Sequence, residues 1–301
     1  MTDHTPERYL NPCTDFGFKK LFGTDMNKDI LISFLNALLN DQSKIVDVRY
    51  LPMEHFGSIG SRHAIFDVYC ETDTGGKFVV EMQNVYQQFY KDRSIFYTTF
   101  PIQEQAHIGK DWNFELKDVY TIGILNFAFQ DGKTPKDCYR TEVKLLDTDT
   151  KEVFYNKLTL IYVELPKFNK KEDELETMMD KWLYLLKHMS NLFERPAALQ
   201  ERIFTKVFEQ AEIARFNPEE RRFYEIDVNA YRDINNAIVT AMRQGVAQGL
   251  KEGVAQGLKE GVAQGLKEGE AKGREEARQE MTLRLKALGL SEAQITQVTA
   301  P

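Results

Sequence analysis

Two carboxylates and a carboxamide sit among apolar residues in FDVYCETDTGGKFVVEMQ, Phe66 to Gln83. Asp67 falls in the first of two β-rich runs and Glu81 and Gln83 in the second, with a turn rich in Asp, Thr and Gly between them. Strand alternation puts Glu81 and Gln83 on one face and Val80 and Met82 on the other, and a hairpin can bring Asp67 opposite the first pair. Converging carboxylates repel, and burying them unpaired is costly, so a cation should complete the site. Asp67, Glu81 and the backbone carbonyl between Glu81 and Gln83 would suit a hard divalent ion, Mg²⁺ or Mn²⁺, with several waters retained. Such an ion lowers the pKa of bound water and offsets charge on a phosphodiester. The competing readings are a solvated strand face, or acids held by Arg62 or Lys77 in sheet-edge ion pairs.

The elements that must hold these residues are legible on both sides. TDFGFKKLFG, Thr14 to Gly23, has the form of a short helix that Thr14 or Asp15 can cap and Gly23 can end. In DILISFLNALLN the apolar residues Ile30, Leu31, Phe34, Leu35, Leu38 and Leu39 follow the spacing of a packed amphipathic helix. IVDVRYL, HAIFDVYCE and KFVVEMQ read as three strands. Beyond Gln83, Phe89, Ile95, Phe96 and Ile102 suit a long helix that Pro101 should kink or end. VYTIGILNFAF is a continuous apolar run of the kind buried on both sheet faces, and YRTEVKLLD and LTLIYVELPKF follow as strands. From Asn169 to about Arg243 the chain reads as a charged helical extension packed on the sheet domain.

The tail repeats GVAQGLKE from Gly245, Gly253 and Gly261, with a degenerate copy, GEAKGREE, from Gly269. Each Gly costs about 1 kcal/mol against Ala inside a helix, so glycine at every fourth position leaves the helix marginal unless packing supports it. A four-residue step turns about 400°, so the stripe of Val246, Leu250, Val254 and Leu258 slips about 40° per step and holds no straight seam. The repeat offers no Glu to Lys pair four residues apart. A tether or an arm for self-association is the expected role, against the bland alternative of a loosely ordered repeat.

A net charge of -7 argues against a general cationic coat, so any nucleic-acid site must be local. The start, MTDHTPERYLNP, lacks an apolar signal core, and no run approaches the roughly eighteen apolar residues of a membrane span, so the expected compartment is the cytoplasm. Three widely spaced cysteines, Cys13, Cys70 and Cys138, suggest neither a disulfide framework nor a zinc knuckle. The five histidines form no close pair, and no GxSxG or GxxxxGK[ST] motif is present.

Taken together, TDFGFKKLFG, FDVYC with Asp67, VVEMQ with Glu81 and Gln83, the next helix with Arg93 and Tyr97, IYVELPKF, and the repetitive tail resemble the Rpn family of recombination-promoting nucleases and transposases. This bacterial group lies within the PD-(D/E)XK nuclease superfamily, and its specific motifs span about residues 10 to 190. The resemblance implies an α/β fold, a PD-(D/E)XK-like mixed sheet flanked by helices with a helical C-terminal extension. Expected boundaries are 1–170 for the nuclease domain, 171–243 for the extension and 244–301 for the octad-repeat tail.

It also implies a metal-dependent DNA endonuclease acting in recombination or mobile-element movement. Asp67 and Glu81 would be the ligands of Mg²⁺ or Mn²⁺, and Gln83 stands where the superfamily's catalytic Lys usually sits. A neutral amide can orient water but brings no positive charge, so a cation from elsewhere is expected to help. Lys19, Lys91 and Arg93 are the candidate DNA contacts, with Lys20 a further nearby cation, and Asp15 is a candidate third acid, from the superfamily's use of an acid on the first helix. Expected partners are DNA and a second copy of the chain through the C-terminal region, and no membrane. The rival reading is a degenerate, nuclease-like binding protein that acts through C-terminal helical assembly.

Overall fold

The computed structural model describes residues 7–39, 44–55, 64–106, 113–132 and 135–289, and positions 291, 292, 295 and 298. Helices α1 (Asp15–Phe22) and α2 (Lys28–Leu38) precede strands β1 (Val48–Tyr50), β2 (Glu54–His55), β3 (Ala64–Ile65), β4 (Val68–Thr72) and β5 (Lys77–Gln83). Then come α3 (Tyr90–Gln103), β6 (Val119–Leu125), β7 (Arg140–Leu146), β8 (Val153–Glu164), α4 (Met178–His188), α5 (Arg202–Ala211) and α6 (Pro218–Ala287).

Six strands form one mixed sheet in the order β1-β4-β5-β6-β8-β7. β5, β6 and β8 are parallel neighbours, while β4 and β1 on one side and β7 on the other pair antiparallel. The apolar run read as buried on both faces is β6, the centre of the parallel trio, where helices cover both sides. On one face Phe78, Val80, Met82, Ile122, Ile124, Ile161 and Val163 join the large core with Phe18, Phe22, Phe34, Trp182 and Phe204 of the helices. On the other face α3 packs down, with Tyr97 and Phe100 against Phe66, Tyr69 and Val79, and Tyr90 beside Leu125, Leu160 and Tyr162. Pro101 sits in the last turn of α3, so the helix stops soon after it.

The strand read as His63 to Glu71, of which His63 lies outside the described residues, is broken from Ala64 on, and the break falls beside the acid. β3 pairs with β2 in a separate two-stranded sheet, the Phe66 N–H donates to the Met53 carbonyl at 2.9 Å, and β4 begins only at Val68. Asp67 thus lies at a bend between two strands. Cys13 and Cys70 are buried and Cys138 partly buried, all three as free thiols.

Contacts divide the chain into two units, residues 1–232 and 233–301. Within the first, the opening turns of α6 clasp the N-terminal segment: Asp227 Oδ2 accepts the Phe16 N–H at 2.8 Å and the Tyr224 hydroxyl accepts the Asn11 N–H at 2.8 Å. In the second unit the octads are helical through every glycine. The described residues give the octads no packing support: Val246, Leu250, Val254, Leu258, Val262 and Leu266 are exposed, and none of those residues comes within 4 Å of a Cβ built on the glycines from Gly245 to Gly273. What the octad supplies instead is polar. Gln248, Gln256 and Gln264 each donate to the Glu four residues on, at 2.8, 2.9 and 2.8 Å.

Candidate active site

Val68 pairs with Val80, which sets Asp67 across from Glu81 just beyond the last rung of the β4–β5 ladder. There the side chain takes over from the backbone: Met82 N–H donates to Asp67 Oδ2 at 2.7 Å, and Asp67 N–H donates to Glu81 Oε1 at 3.3 Å. The N–H and C=O of one strand residue point to the same side, so the Met82 carbonyl also opens toward Asp67. Two carboxylates therefore converge beside the Met82 backbone where β4 leaves β5.

A polar chain extends from Glu81 along its own sheet face. Gln83 Nε2 donates to Glu81 Oε2 at 3.1 Å, and Gln87 Nε2 donates to Gln83 Oε1 at 3.2 Å. Arg93 on α3 closes the ring, with Nη1 3.1 Å from Gln87 Oε1 and Nη2 3.3 Å from Glu81 Oε2, while its guanidinium lies over the Tyr97 ring at 4.8 Å. Beneath them Gly123 of β6 is in register with Glu81, and a Cβ there would stand 2.5 Å from the Tyr90 hydroxyl. That hydroxyl is buried and has no hydrogen-bond partner among the described residues.

The other edge of the site is built by α1. Thr14 caps the helix by accepting the Gly17 N–H at 3.1 Å, and the turn before it is so tight that a Cβ on Gly17 would meet Asn11 O at 2.1 Å. Asn84, one residue past β5, donates to the Cys13 carbonyl and ties this helix start to the strand that carries Glu81. Lys19 pairs with Asp15 at 2.7 Å on the exposed side of α1.

Glu81 and Gln83 are buried, at 2 % and 8 % exposure. Burial, then repulsion from Asp67, raises the Glu81 carboxyl to about 8, against the Arg93 guanidinium and its hydrogen bonds. Burial likewise raises Asp67 to about 6, opposed by the Met82 N–H and by Lys19 and Arg93. Burial disfavours the Lys19 ammonium, but Asp15, with Asp67 and Glu81, outweighs it and holds Lys19 above its ordinary value. The charge balance is that of a site short of positive charge.

Asp67, Glu81, Gln83 and Arg93 are thus brought together, and the Lys19 charge acts on both acids. Asp15 faces solvent on its Lys19 pair, and Thr14, not Asp15, caps α1. Lys91 is turned elsewhere, ion-paired with Asp131 at 2.5 Å and lying 4.5 Å from the Phe129 ring centre. Lys20 pairs with Glu220 at 2.6 Å. Lys77 bonds Glu104 at 2.6 Å and not the acid pair; Arg62 lies outside the described residues. Sequence reasoning passed over Gln87, whose loop position carries no periodicity, and Gly123, hidden in an apolar run. An amide four residues beyond Gln83 was the one signal available for Gln87.

Among the described residues no group of three or more His, Cys, Asp or Glu gathers as a metal centre. The donors on hand are all oxygen, and Asp67 Oδ1 carries no hydrogen bond among those residues, a set that fits Mg²⁺ or Mn²⁺ better than a softer metal. No helix among the described residues is long and apolar enough to cross a membrane. A mixed six-stranded sheet between helices, with an acid pair where two central strands diverge, defines a PD-(D/E)XK-like α/β protein. Residues 12–241 match the family described as PD-(D/E)XK nuclease family transposase, and the chain belongs to that family. No curated protein and no solved structure matches it.

Proposed function

We propose that the protein is a metal-dependent DNA endonuclease that hydrolyses phosphodiester bonds in recombination or mobile-element movement. The observation that carries this reading is the convergence of Asp67 and Glu81, two carboxyls that burial and mutual repulsion hold toward their protonated forms in the absence of a cation. Asp67 and Glu81 would hold Mg²⁺ or Mn²⁺, with Asp15 a third acid at the rim. The ion would supply Lewis acidity and a more acidic water. The chain's own residues do the rest. Lys19 and Arg93 bring positive charge to phosphate oxygens, Gln83 bonds at the reacting group, and Lys91, at the start of α3, meets the DNA backbone once it leaves Asp131.

Purified protein incubated with supercoiled plasmid and each divalent ion in turn should nick or linearise it with Mg²⁺ or Mn²⁺ and leave it intact in chelator. Intact plasmid with both ions, together with no metal binding by calorimetry, would favour the second reading, a degenerate nuclease-like binding protein. One contact supports that rival: Arg93 already supplies a counter-charge to Glu81. In either case the exposed Val and Leu residues of the octads suit self-association, which sedimentation of the full chain tests.

A further inference from the structure

The Gln83 carboxamide can exchange its oxygen and its NH₂ by a half-turn that hardly changes its shape, so its neighbours decide which end faces the acids. Arg93 has donors only, so its 3.1 Å contact requires Gln87 to present Oε1. Gln87 must then offer Nε2 to Gln83, and it meets Gln83 Oε1 at 3.2 Å. With Oε1 so engaged, Gln83 turns Nε2 to Glu81 Oε2, at 3.1 Å. The donor-only guanidinium of Arg93 thus leaves the two amides one consistent orientation, whether or not Glu81 carries a proton.

We infer that Gln87 is a positioning residue that locks the Gln83 NH₂ toward the acid pair, so that Gln83 serves as a donor to a substrate phosphate oxygen and not as the acceptor that aligns water. This rests on the nuclease reading given above. One Gln83 N–H is engaged by Glu81, and among the described residues the second has no acceptor and is left to donate. The non-bridging oxygens of a phosphodiester are acceptors only, so they match that N–H and would be repelled by an amide turned the other way. A locked amide thereby supplies the donor that an ammonium would supply, without its charge.

The test has one arm that needs no turnover. In full-length protein labelled with ¹⁵N-glutamine, with the Gln83 side-chain signal assigned by its loss in Gln83→Ala, Gln87→Glu should displace that signal. The substitution keeps an acceptor for Arg93 but removes the donor to Gln83. An unmoved Gln83 signal overturns the inference. In the cleavage arm, Gln87→Met should lower kcat for plasmid nicking by about tenfold or more with KM for DNA little changed, as expected for a misoriented group. In a Gln83→Lys background the same substitution should cost far less, because an ammonium donates at any rotation. Equal losses in the two backgrounds overturn the inference. If the wild-type protein cuts no DNA, the nuclease reading fails while the glutamine spectrum still decides whether Gln87 sets the amide.

Discussion

Glu81 and Asp67 tax the fold that contains them, and pH exposes the cost. Both carboxyls are raised, to about 8 and about 6, so the metal-free native protein binds more protons than the unfolded chain, whose carboxyls titrate near about 4. Their contribution to stability is therefore fullest below about pH 4 and is lost as pH rises through about 8. Glu81→Gln should flatten this decline, so thermal melts of metal-free wild type and variant should diverge as pH rises, the variant melting higher at alkaline pH. Parallel pH profiles would mean that the pair is not buried as charges. At Asp67 the appropriate substitution is Asn: it keeps an acceptor for the Met82 N–H, whereas Ala would orphan a backbone donor at a cost of about 1–3 kcal/mol. Asp67→Asn should hold stability at neutral pH and abolish plasmid cleavage, and a protein that unfolds would mark Asp67 as a structural partner. The alternation of β5 was enough to pair Glu81 with Gln83 on one face. Sequence could not show that Asp67 would cap a broken strand, because that depends on Phe66 bonding to Met53.

At the scale of elements, the distance between α3 and the sheet is set at Gly123. A methyl there would sit 2.5 Å from the Tyr90 hydroxyl and 3.0 Å from the nearest ring carbon, so Gly123→Ala must push α3 away from the strand that faces Glu81. Overpacking of this kind costs about 1–3 kcal/mol. Chemical denaturation should show that loss, and Tyr90→Phe, which removes the hydroxyl that the methyl would meet, should recover part of it. Full stability in Gly123→Ala alone would show that α3 can shift freely. The apolar run around Gly123 announced a buried strand, but not which helix would press on its one side-chain-free position.

On the scale of the whole molecule, the octad helix contributes little apolar burial of its own: Val246, Leu250 and Val254 remain 71 %, 70 % and 64 % exposed. A chain ending at Arg243 should therefore keep the melting temperature of the sheet domain within about a degree or two, because removing exposed segments leaves core burial intact. A large drop in calorimetry would show that the repeats support the core. The family match continues to residue 241, into α6, and stops just before the octads begin.

Local spacing determined a good deal by itself. Thr14 and Gly23 bound the first helix, period-two alternation placed Glu81 with Gln83, and the length of the apolar run from Val119 marked the central strand. These are properties of a few consecutive residues, and the backbone expresses them wherever it folds. Only the tertiary structure decided that Lys91 turns to Asp131 while Arg93, two positions on, reaches Glu81 and Gln87. A small step along α3 changes which part of the sheet a side chain meets, and that is fixed by how the helix docks. The tail shows the same division: the octad dictates a Gln to Glu bond every eight residues, while whether its Val and Leu stripe finds a partner depends on surfaces outside the repeat. Periodicity determines which side chains share a face, and docking alone determines what that face meets.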